Sequence, residues 1–334
     1  MEYNFNLKEY NTFHLNCVAR DFLRIKQESD LEYLHSIYNK EKIFVLGGGA
    51  NTLFASDYFD GLVAKIENKG KTIVEENENE IVVEVASGEN WSDFVFWACK
   101  NNYCGLENLS TIPGSVGAAP VQNIGAYGSE AKDTIKEVLV YDLEANTFSW
   151  LKNEDCNFAY RYSCFKYQKG NLIIWKVRFL LQKHFTLNDS YKALKEKIKT
   201  KEEKIKTAEE IAETVKEIRD SKLPDHNILG NAGSFFKNPI ITGEQYKKIK
   251  IQYPDIVAFD DANGVKISAG WLIEKCGLKG KRFGNVGMHE KQALVLVNYG
   301  NATGKELIVF ANKVIDTVKD KFGIQLDIEA HIIK

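Results

Sequence analysis

The sequence lacks a net charge of either sign and any long apolar run. Its 44 Lys and Arg residues nearly balance 46 Asp and Glu residues, which argues against a polyanion such as DNA as the main partner. No apolar stretch reaches the roughly 18 residues that a transmembrane helix needs. The start, MEYNFNLKEYNTFHLN, has no basic region followed by an apolar run and does not read as a secretory signal. These absences predict a cytoplasmic protein with no nucleic-acid partner and no membrane insertion.

The sequence also lacks the spacings of common metal and nucleotide sites. Its six cysteines are scattered, with no C-x-x-C pair and no His at metal-binding spacing, which indicates buried thiols in a reducing compartment and no metal site. Gly49 is not followed by the third glycine of a dinucleotide fingerprint. In residues 300–307 the glycines are too close for a P-loop, and no Ser or Thr follows the Lys.

Short strand patterns with few helices between them are what the chain does contain, and they favour an α+β fold. A helix is expected over 91–103 with Ser92 or Asp93 near its cap, and others over 268–278 and 304–323. Between 189 and 223 the composition turns to Lys and Glu, and the apolar residues mark one helical face. Those apolar residues are Leu194, Ile198, Ile205, Ile211, Val215 and Ile218. A length of 334 residues suggests about two domains, with a boundary near 222–230.

Two glycine-rich loops, LGGGAN at 46–51 and IPGSVGAAPVQNIGAYG at 112–128, stand out. Glycine is conformationally costly unless the backbone needs a positive φ or a close approach. Both loops can present backbone N–H groups, and two such loops suit a dinucleotide with a central pyrophosphate. Taken singly, each loop is better explained as a tight turn that packs closely.

Further motifs occur in a fixed order along the chain. They are NTFHLN (11–16), YRYSCFK (160–166), GNAGSFFKNP (230–239), SAGWLIEKCGLKG (268–280) and LDIEAHII (326–333). Together with the glycine loops they resemble, nearly end to end, the UDP-N-acetylenolpyruvoylglucosamine reductase family, flavoproteins of bacterial peptidoglycan precursor synthesis. Tyr191 resembles the lid tyrosine of the class of these reductases that has a tyrosine lid loop.

That resemblance implies an FAD-binding α+β fold of the vanillyl-alcohol-oxidase type, with two α+β subdomains and a C-terminal α+β substrate-binding domain. Its implied division is 1–66, 67–222 with a lid over about 185–222, 223–325, and a C-terminal strand over 326–334. FAD would be bound non-covalently, and NADPH would be the hydride donor. The implied FAD-binding residues are Gly47, Gly48, Gly49, Ala50, Asn51, Pro113, Gly114, Ser115, Val116, Gly117, Asn123, Ile124 and Gly125.

The chemistry of reducing an enolpyruvyl ether makes demands that three residues meet. Hydride addition to the outer carbon creates an enolate on the carboxylate, which needs a nearby cation, and a proton must then reach the inner carbon. Arg161 offers a planar fork for a carboxylate, although an ordinary ion pair explains it equally well. The resemblance makes Ser234 the proton donor and Glu329 its partner. Without it, Ser234 reads as a turn residue and Glu329 as a solvated edge residue.

For the substrate, UDP-N-acetylglucosamine enolpyruvate, the resemblance implies contacts by Tyr191, Lys222, Asn238 and Gln292. Tyr191 could instead be an aromatic that packs at a helix start. The protein is expected to act as a monomer. Two other functions remain open from the residues: another FAD-dependent oxidoreductase of this fold, and a non-catalytic nucleotide-sugar-binding protein.

Overall fold

The computed structural model of the protein describes residues 1–166, 171–201 and 203–334. The chain forms two compact units. Unit 1 comprises Met1–Phe5, Ala19–Gly48 and Asp60–Ser221, and unit 2 comprises Asn6–Val18, Gly49–Phe59 and Lys222–Lys334. Two short N-terminal segments therefore belong with the C-terminal part of the chain. The division into four parts that the sequence suggests stays a prediction.

Strands and helices are mixed along the whole chain, in agreement with the α+β prediction. The strands are β1 (Glu2–Asn6), β2 (Val18–Ile25), β3 (Ile43–Leu46), β4 (Thr52–Phe54), β5 (Tyr58–Ile66), β6 (Lys71–Glu76), β7 (Glu80–Ala86), β8 (Gly125–Ala126), β9 (Ser129–Glu130), β10 (Ile135–Asp142), β11 (Thr147–Lys152), β12 (Leu172–Gln182), β13 (Gly230–Ser234), β14 (Ile240–Ile241), β15 (Ala258–Asp261), β16 (Gly264–Ile267), β17 (Arg282–Phe283), β18 (Val286–Met288), β19 (Val295–Asn298) and β20 (His331–Ile333). The helices are α1 (Glu28–Ile37), α2 (Trp91–Lys100), α3 (Lys192–Lys199), α4 (Ala208–Lys222), α5 (Gly243–Gln252), α6 (Ala269–Lys275) and α7 (Gly304–Phe322).

Unit 1 is built around two sheets. A four-stranded sheet has the order β1-β2-β5-β3, and a five-stranded sheet has the order β11-β10-β12-β7-β6. β3 runs parallel to β5, with Leu46 opposite Lys65. The larger sheet is antiparallel in its registered pairs and packs against α2, where the rings of Trp91, Phe94 and Phe179 are in contact. The buried aromatic rings hold α2 against the larger sheet, and the second glycine-rich loop follows α2 in the chain.

Unit 2 is organised by a four-stranded sheet of order β13-β19-β18-β17 and by α7. The apolar face of α7 is buried, including Leu307, Val314 and Val318. Thr303 caps this helix by accepting a hydrogen bond from Glu306 N at 3.2 Å, and Gly323 ends it in the left-handed region at φ 66°. β20 runs parallel to β4, so the last strand of the chain pairs with an N-terminal segment.

The expected helix over 91–103 starts where the sequence indicates. α2 begins after Asn90, whose side chain accepts from Asp93 N at 3.0 Å, so Ser92 and Asp93 lie near the cap in the first turn. Its last residue is Lys100, before the expected end at residue 103. One expectation about helices needs correction. The apolar face of residues 189–223 belongs to two helices, because the Thr207 hydroxyl accepts from Glu210 N at 3.2 Å and starts α4 anew. Its apolar residues do share one cluster.

The cysteines also differ in part from expectation. All six are free. Four are buried as predicted, whereas Cys164 and Cys276 are only partly buried. Among the described residues, no helix combines the length and the apolar character needed to cross a membrane.

Candidate active site

In unit 1 the two glycine-rich loops touch each other through their backbones. A Cβ atom at Gly48 would lie 2.5 Å from Gly114 Cα and 2.9 Å from Ser115 N, and one at Gly47 would lie 2.8 Å from Ser115 Oγ. Contacts under 3.0 Å leave no room for a side chain at Gly48. Gly48 is therefore required by the close approach of the two backbones, whereas at Gly47 a side chain would meet mainly the Ser115 hydroxyl.

The second loop is shaped by hydrogen bonds to the segment before α2. The N–H of Val116 donates to Glu89 O at 2.9 Å, and the N–H of Gly117 donates to Ser87 O at 2.9 Å. A Cβ at Gly117 would lie 2.5 Å from Ser87 Cβ. Val116 and Gly117 thus determine the backbone path of the loop, because their N–H groups already donate to backbone carbonyls. Pro113 and Gly114 precede this turn, and Gly114 adopts φ 130°.

Arg161 lies at the tip of a hairpin that is tied to the same loop. Ala159 and Tyr162 exchange backbone hydrogen bonds of 3.0 and 3.1 Å, and Arg161 between them adopts φ 53°. Its Nη2 donates to Gly125 O at 2.7 Å. Such a conformation is rare for a non-glycine residue and persists only where the surroundings enforce it, which is common at functional sites.

Asn123 fastens this hairpin to the loop. Its Nδ2 donates to Ala159 O at 3.2 Å and to Glu130 Oε2 at 3.0 Å, and its Oδ1 accepts from Lys132 N at 3.0 Å. The N–H of Ile124 donates to Ala119 O at 3.1 Å. The predicted FAD-binding role of Asn123 and Ile124 stays a prediction, and the visible function of the Asn123 amide is to position the hairpin that carries Arg161.

Tyr191 belongs to an aromatic and cationic group in unit 1. It precedes α3, and its ring meets that of Tyr127 edge to face with centroids 5.2 Å apart. Burial raises the pKa of Tyr127 to about 12. Arg219 on α4 lies near Tyr127, and loss of hydration on burial lowers the pKa of its guanidinium. Within the part of the chain that the structure describes, the Arg219 side chain has neither a hydrogen bond nor an ion pair. A cation in this state is a ready partner for an anionic ligand.

In unit 2, Ser234 ends β13 after a backbone irregularity. Pairing with β19 shifts register between Asn231 and Ser234, and Gly233 adopts φ 66° with its N–H donating to Asn231 Oδ1 at 2.9 Å. A Cβ at Gly233 would meet nothing within 4 Å. Glycine is therefore favoured at 233 by its positive φ and not by close packing. The bulge leaves Ser234 exposed, whereas Phe235 and Phe236 enter the core.

Glu329 is bonded through its backbone to the residue that follows Ser234 in unit 2. Its N–H donates to Phe235 O at 2.8 Å, and Phe236 bridges Ile328 in antiparallel fashion. The carbonyl of Glu329 accepts from Asn51 Nδ2 at 3.3 Å. Asn51 therefore joins the end of the first glycine loop to the chain segment that carries Glu329.

The same unit holds Gly49 and Ala50. Gly49 adopts φ 69°, and a Cβ there would lie 2.0 Å from Tyr10 O. Thr12 N donates to Gly49 O at 3.3 Å and Thr12 Oγ1 to Ala50 O at 3.4 Å. These contacts explain why NTFHLN accompanies the glycine loop in the sequence.

Asn238 and Gln292 both lie at the first residues of α6. Asn238 Oδ1 accepts from Ala269 N at 2.9 Å. Gln292 Oε1 lies 3.2 Å from the position of a Cβ at Gly270 and accepts from Leu294 N at 3.3 Å. Two residues predicted from distant motifs are thus brought together. Lys222 is the exposed last residue of α4 and has no hydrogen bond or ion pair to the described residues.

Comparison with known proteins decides the family. A sequence model of the FAD binding domain matches residues 22–147, and one of the UDP-N-acetylenolpyruvoylglucosamine reductase C-terminal domain matches residues 223–333. The UDP-N-acetylenolpyruvoylglucosamine reductase of Flavobacterium johnsoniae is 43% identical over 99% of this chain and 98% of its own. That of Chromobacterium violaceum is 44% identical over 98% and 97%. The chain belongs to the UDP-N-acetylenolpyruvoylglucosamine reductase family.

The fold agrees with this assignment. The crystal structure of the UDP-N-acetylenolpyruvylglucosamine reductase from Thermus caldophilus superposes with a TM-score of 0.67 at 22% identity, covering 99% of this chain and 98% of that one. The family resemblance and the predicted fold class, an FAD-binding domain followed by the C-terminal domain of the reductase family, are both confirmed.

The residues of unit 1 fit the diphosphate of FAD. Gly47 and Gly48 let the two glycine loops meet with no side chain between them, and no described residue accepts a hydrogen bond from the Gly48 N–H. In the same unit, the buried Ser87 hydroxyl finds no partner among the described residues. Open N–H groups on glycine loops bind phosphate oxygens without cationic side chains.

One residue with the properties of a functional group was not indicated by the reductase motifs. Arg219 is the sole Arg between 189 and 222, in a segment otherwise cationic through Lys. This single Arg among lysines is the sequence feature that could indicate a buried cation, because Arg is preferred over Lys where a cation must be buried. The feature is easily missed, because the surrounding Lys and Glu residues are typical of a solvated helix.

Proposed function

We propose that this protein reduces UDP-N-acetylglucosamine enolpyruvate to UDP-N-acetylmuramate, with NADPH as reductant and FAD as cofactor. The observation that carries the proposal is the juxtaposition of Ser234 and Glu329 in unit 2, where the residue after Ser234 accepts the Glu329 N–H at 2.8 Å. A proton donor and a carboxylate from distant parts of the chain are what the protonation step requires. The family relationship at 43–44% identity over nearly the whole chain supports the same reaction.

Arg161 stabilises the negative charge that develops on the substrate carboxylate. FAD, when bound, supplies the hydride that NADPH provides for the outer carbon of the enolpyruvyl group. The Arg161 guanidinium is held by Gly125 O at 2.7 Å and lies over the Tyr160 ring at 5.1 Å. This orientation is set before substrate binds, and a preorganised cation costs no rearrangement as charge develops.

Ser234 donates the proton that the inner carbon requires. Its hydroxyl is exposed at the end of the β13 bulge, so substrate and water both reach it. Glu329 is buried and orients the hydroxyl or returns a proton to it. Hydride and proton together convert the enolpyruvyl group to a lactyl ether, and the chain supplies the proton.

The nucleotide sugar is bound by Asn238, Gln292, Lys222 and Tyr191. Lys222 supplies a mobile ammonium for the diphosphate. Tyr191 is positioned by the Tyr127 ring, and its exposed side chain suits a residue that folds over a ligand. Arg219 binds an anionic group of a ligand, as its lack of a partner in the described chain suggests. The enzyme acts as a monomer in the cytoplasm.

Anaerobic flavin spectroscopy tests this function. The purified chain is reconstituted with FAD, then NADPH is added, then UDP-N-acetylglucosamine enolpyruvate. The expected result is loss of flavin absorbance with NADPH and its return with substrate, together with formation of UDP-N-acetylmuramate. A chain that takes up no FAD would instead be a nucleotide-sugar-binding protein. Bleaching by NADPH without return by this substrate would indicate another FAD-dependent oxidoreductase.

A further inference from the structure

Lys65 is a partly buried cation that the mechanism above does not use. It lies on β5 opposite Leu46, the last residue of β3 before the first glycine loop. Its Nζ donates to Gly47 O at 2.7 Å. Loss of hydration lowers the pKa of this ammonium, an effect that Glu67 opposes and that Lys69 and Arg24 reinforce. No carboxylate of the described chain lies within ion-pair distance of Lys65.

An ammonium that has lost much of its hydration and bonds only to a neutral carbonyl is unfavourable for the ligand-free protein. Removing such a charge from water is costly unless an opposite charge compensates it. The groups that surround Lys65 in unit 1 supply no such charge at close range. Lys65 is therefore placed where an added anion would relieve this cost.

The bond to Gly47 O also determines the direction of a neighbouring donor. The carbonyl of Gly47 and the N–H of Gly48 belong to one planar trans peptide, so they point to opposite sides. With the carbonyl held toward Lys65, the Gly48 N–H faces away from it. No described residue accepts that N–H, and Gly48 lies against Gly114 of the second loop.

From these contacts we infer that Lys65 is a positioning residue for the FAD diphosphate: it aims the Gly48 N–H at a phosphate oxygen and supplies a positive charge behind the loop. This inference rests on the proposed binding of FAD. The negative charges of the diphosphate compensate the buried ammonium, so cofactor binding and the burial of Lys65 support each other. Lys65 touches the loop and acts through it.

The test compares FAD affinity in the full-length protein after removal of flavin. Lys65→Met replaces the ammonium with an apolar chain of similar length, and we expect FAD to bind about tenfold to a hundredfold more weakly. Lys65→Gln removes the charge while keeping a donor, and a loss of about tenfold is expected. Lys183→Met is the matched control, because Lys183 is also partly buried and donates to a backbone carbonyl, that of Asn77, but its ammonium is paired with Glu76 at 2.6 Å. The affinity of Lys183→Met for FAD should match that of the wild type.

Two further measurements separate this role from a purely structural one. The flavin-free Lys65→Met protein should melt at the same temperature as the wild type or higher, because it no longer buries an unpaired charge. The phosphorus NMR signals of bound FAD should shift in Lys65→Met and not in Lys183→Met.

Three outcomes would overturn the inference. The first is FAD affinity in Lys65→Met within twofold of the wild type. The second is a loss of affinity accompanied by a lower melting temperature and unchanged phosphorus signals. If the Met variant does not fold, unchanged affinity in Lys65→Gln would overturn it as well. A wild-type protein that binds no FAD would instead overturn the proposed function itself.

Discussion

Gly48→Ala is expected to separate the two glycine loops and weaken FAD binding. The added Cβ would lie 2.5 Å from Gly114 Cα, 2.8 Å from Gly114 C and 2.9 Å from Ser115 N. All three are backbone atoms, so no side-chain rotation relieves the overlap. Ordinary contact between carbon atoms begins at about 3.5 Å. The two backbones must therefore move apart by about 1 Å at the point where the diphosphate is expected to bind.

The size of the effect follows from the cost of overpacking. Inserting one methyl group into a well-packed region costs about 1–3 kcal/mol, which corresponds to a dissociation constant for FAD raised about 5- to 150-fold. Gly48 does not adopt a positive φ, so the backbone conformation itself is open to Ala and the effect is steric. The measurement is titration of the flavin-free protein with FAD, followed by flavin fluorescence, with thermal unfolding in parallel.

Two alanine variants serve as controls. Gly47→Ala meets only the Ser115 hydroxyl at 2.8 Å, and next Ala118 Cβ at 3.4 Å, so rotation of Ser115 should limit its effect to a few-fold. Gly243→Ala, at the start of α5, meets nothing within 4 Å and should leave FAD affinity unchanged. Equal FAD affinity in Gly48→Ala and wild type would refute the reasoning that close approach of these loops forms the cofactor site.

Three more expectations can be checked separately. In Ser234→Ala, NADPH should bleach the flavin at the normal rate, but the return of flavin absorbance with substrate should slow by about 10²- to 10⁴-fold. Stopped-flow traces in which both phases slow equally would contradict the proton-donor role. Ser234→Cys should recover part of the rate. Tyr191→Phe and Lys222→Ala should each weaken nucleotide-sugar binding by about 1.5–3 kcal/mol in calorimetry, with FAD content unchanged; unaltered affinity in both would remove the lid assignment. Burial raises the pKa of the Cys17 and Cys156 thiols to about 12, so neither should react with a disulfide reagent at pH 8 until the protein unfolds. The stability that these buried neutral thiols contribute is complete below the ordinary thiol pKa of about 8.5 and is lost as pH rises toward 12. Rapid labelling of both thiols in the folded protein at pH 8 would count against their burial.

Several features of the site were accessible from the sequence because they are local. Glycines at 47, 48 and 114 signal close backbone approach whatever the rest of the fold does. The motif GNAGSFFKNP contains both the glycine of the β13 bulge and the exposed Ser234 that follows it. These residues act through their own backbone conformation, so a short stretch of sequence is enough to predict them.

Other features depend on contacts between residues far apart in the chain. Asn123 binds the carbonyl of Ala159, 36 residues away, and so positions Arg161. Nothing in either segment predicts that pairing, since an Asn in a glycine loop has many possible partners. The sequence places the start of α2 near Ser92 and Asp93, but the choice of Asn90 as the cap depends on the backbone path, because all three are good cap residues.

The sequence by itself determined the family, the α+β class and the glycine loops, because each depends on residue order and local conformation. Only the tertiary structure decided that residues 6–18 and 49–59 join the C-terminal unit, and that Lys65 and Arg219 are partly buried cations that have lost hydration. A lysine on a strand or an arginine on a charged helix is ordinarily solvated. Burial and the absence of a counter-charge are properties of packing, and they arise only when distant segments enclose the side chain.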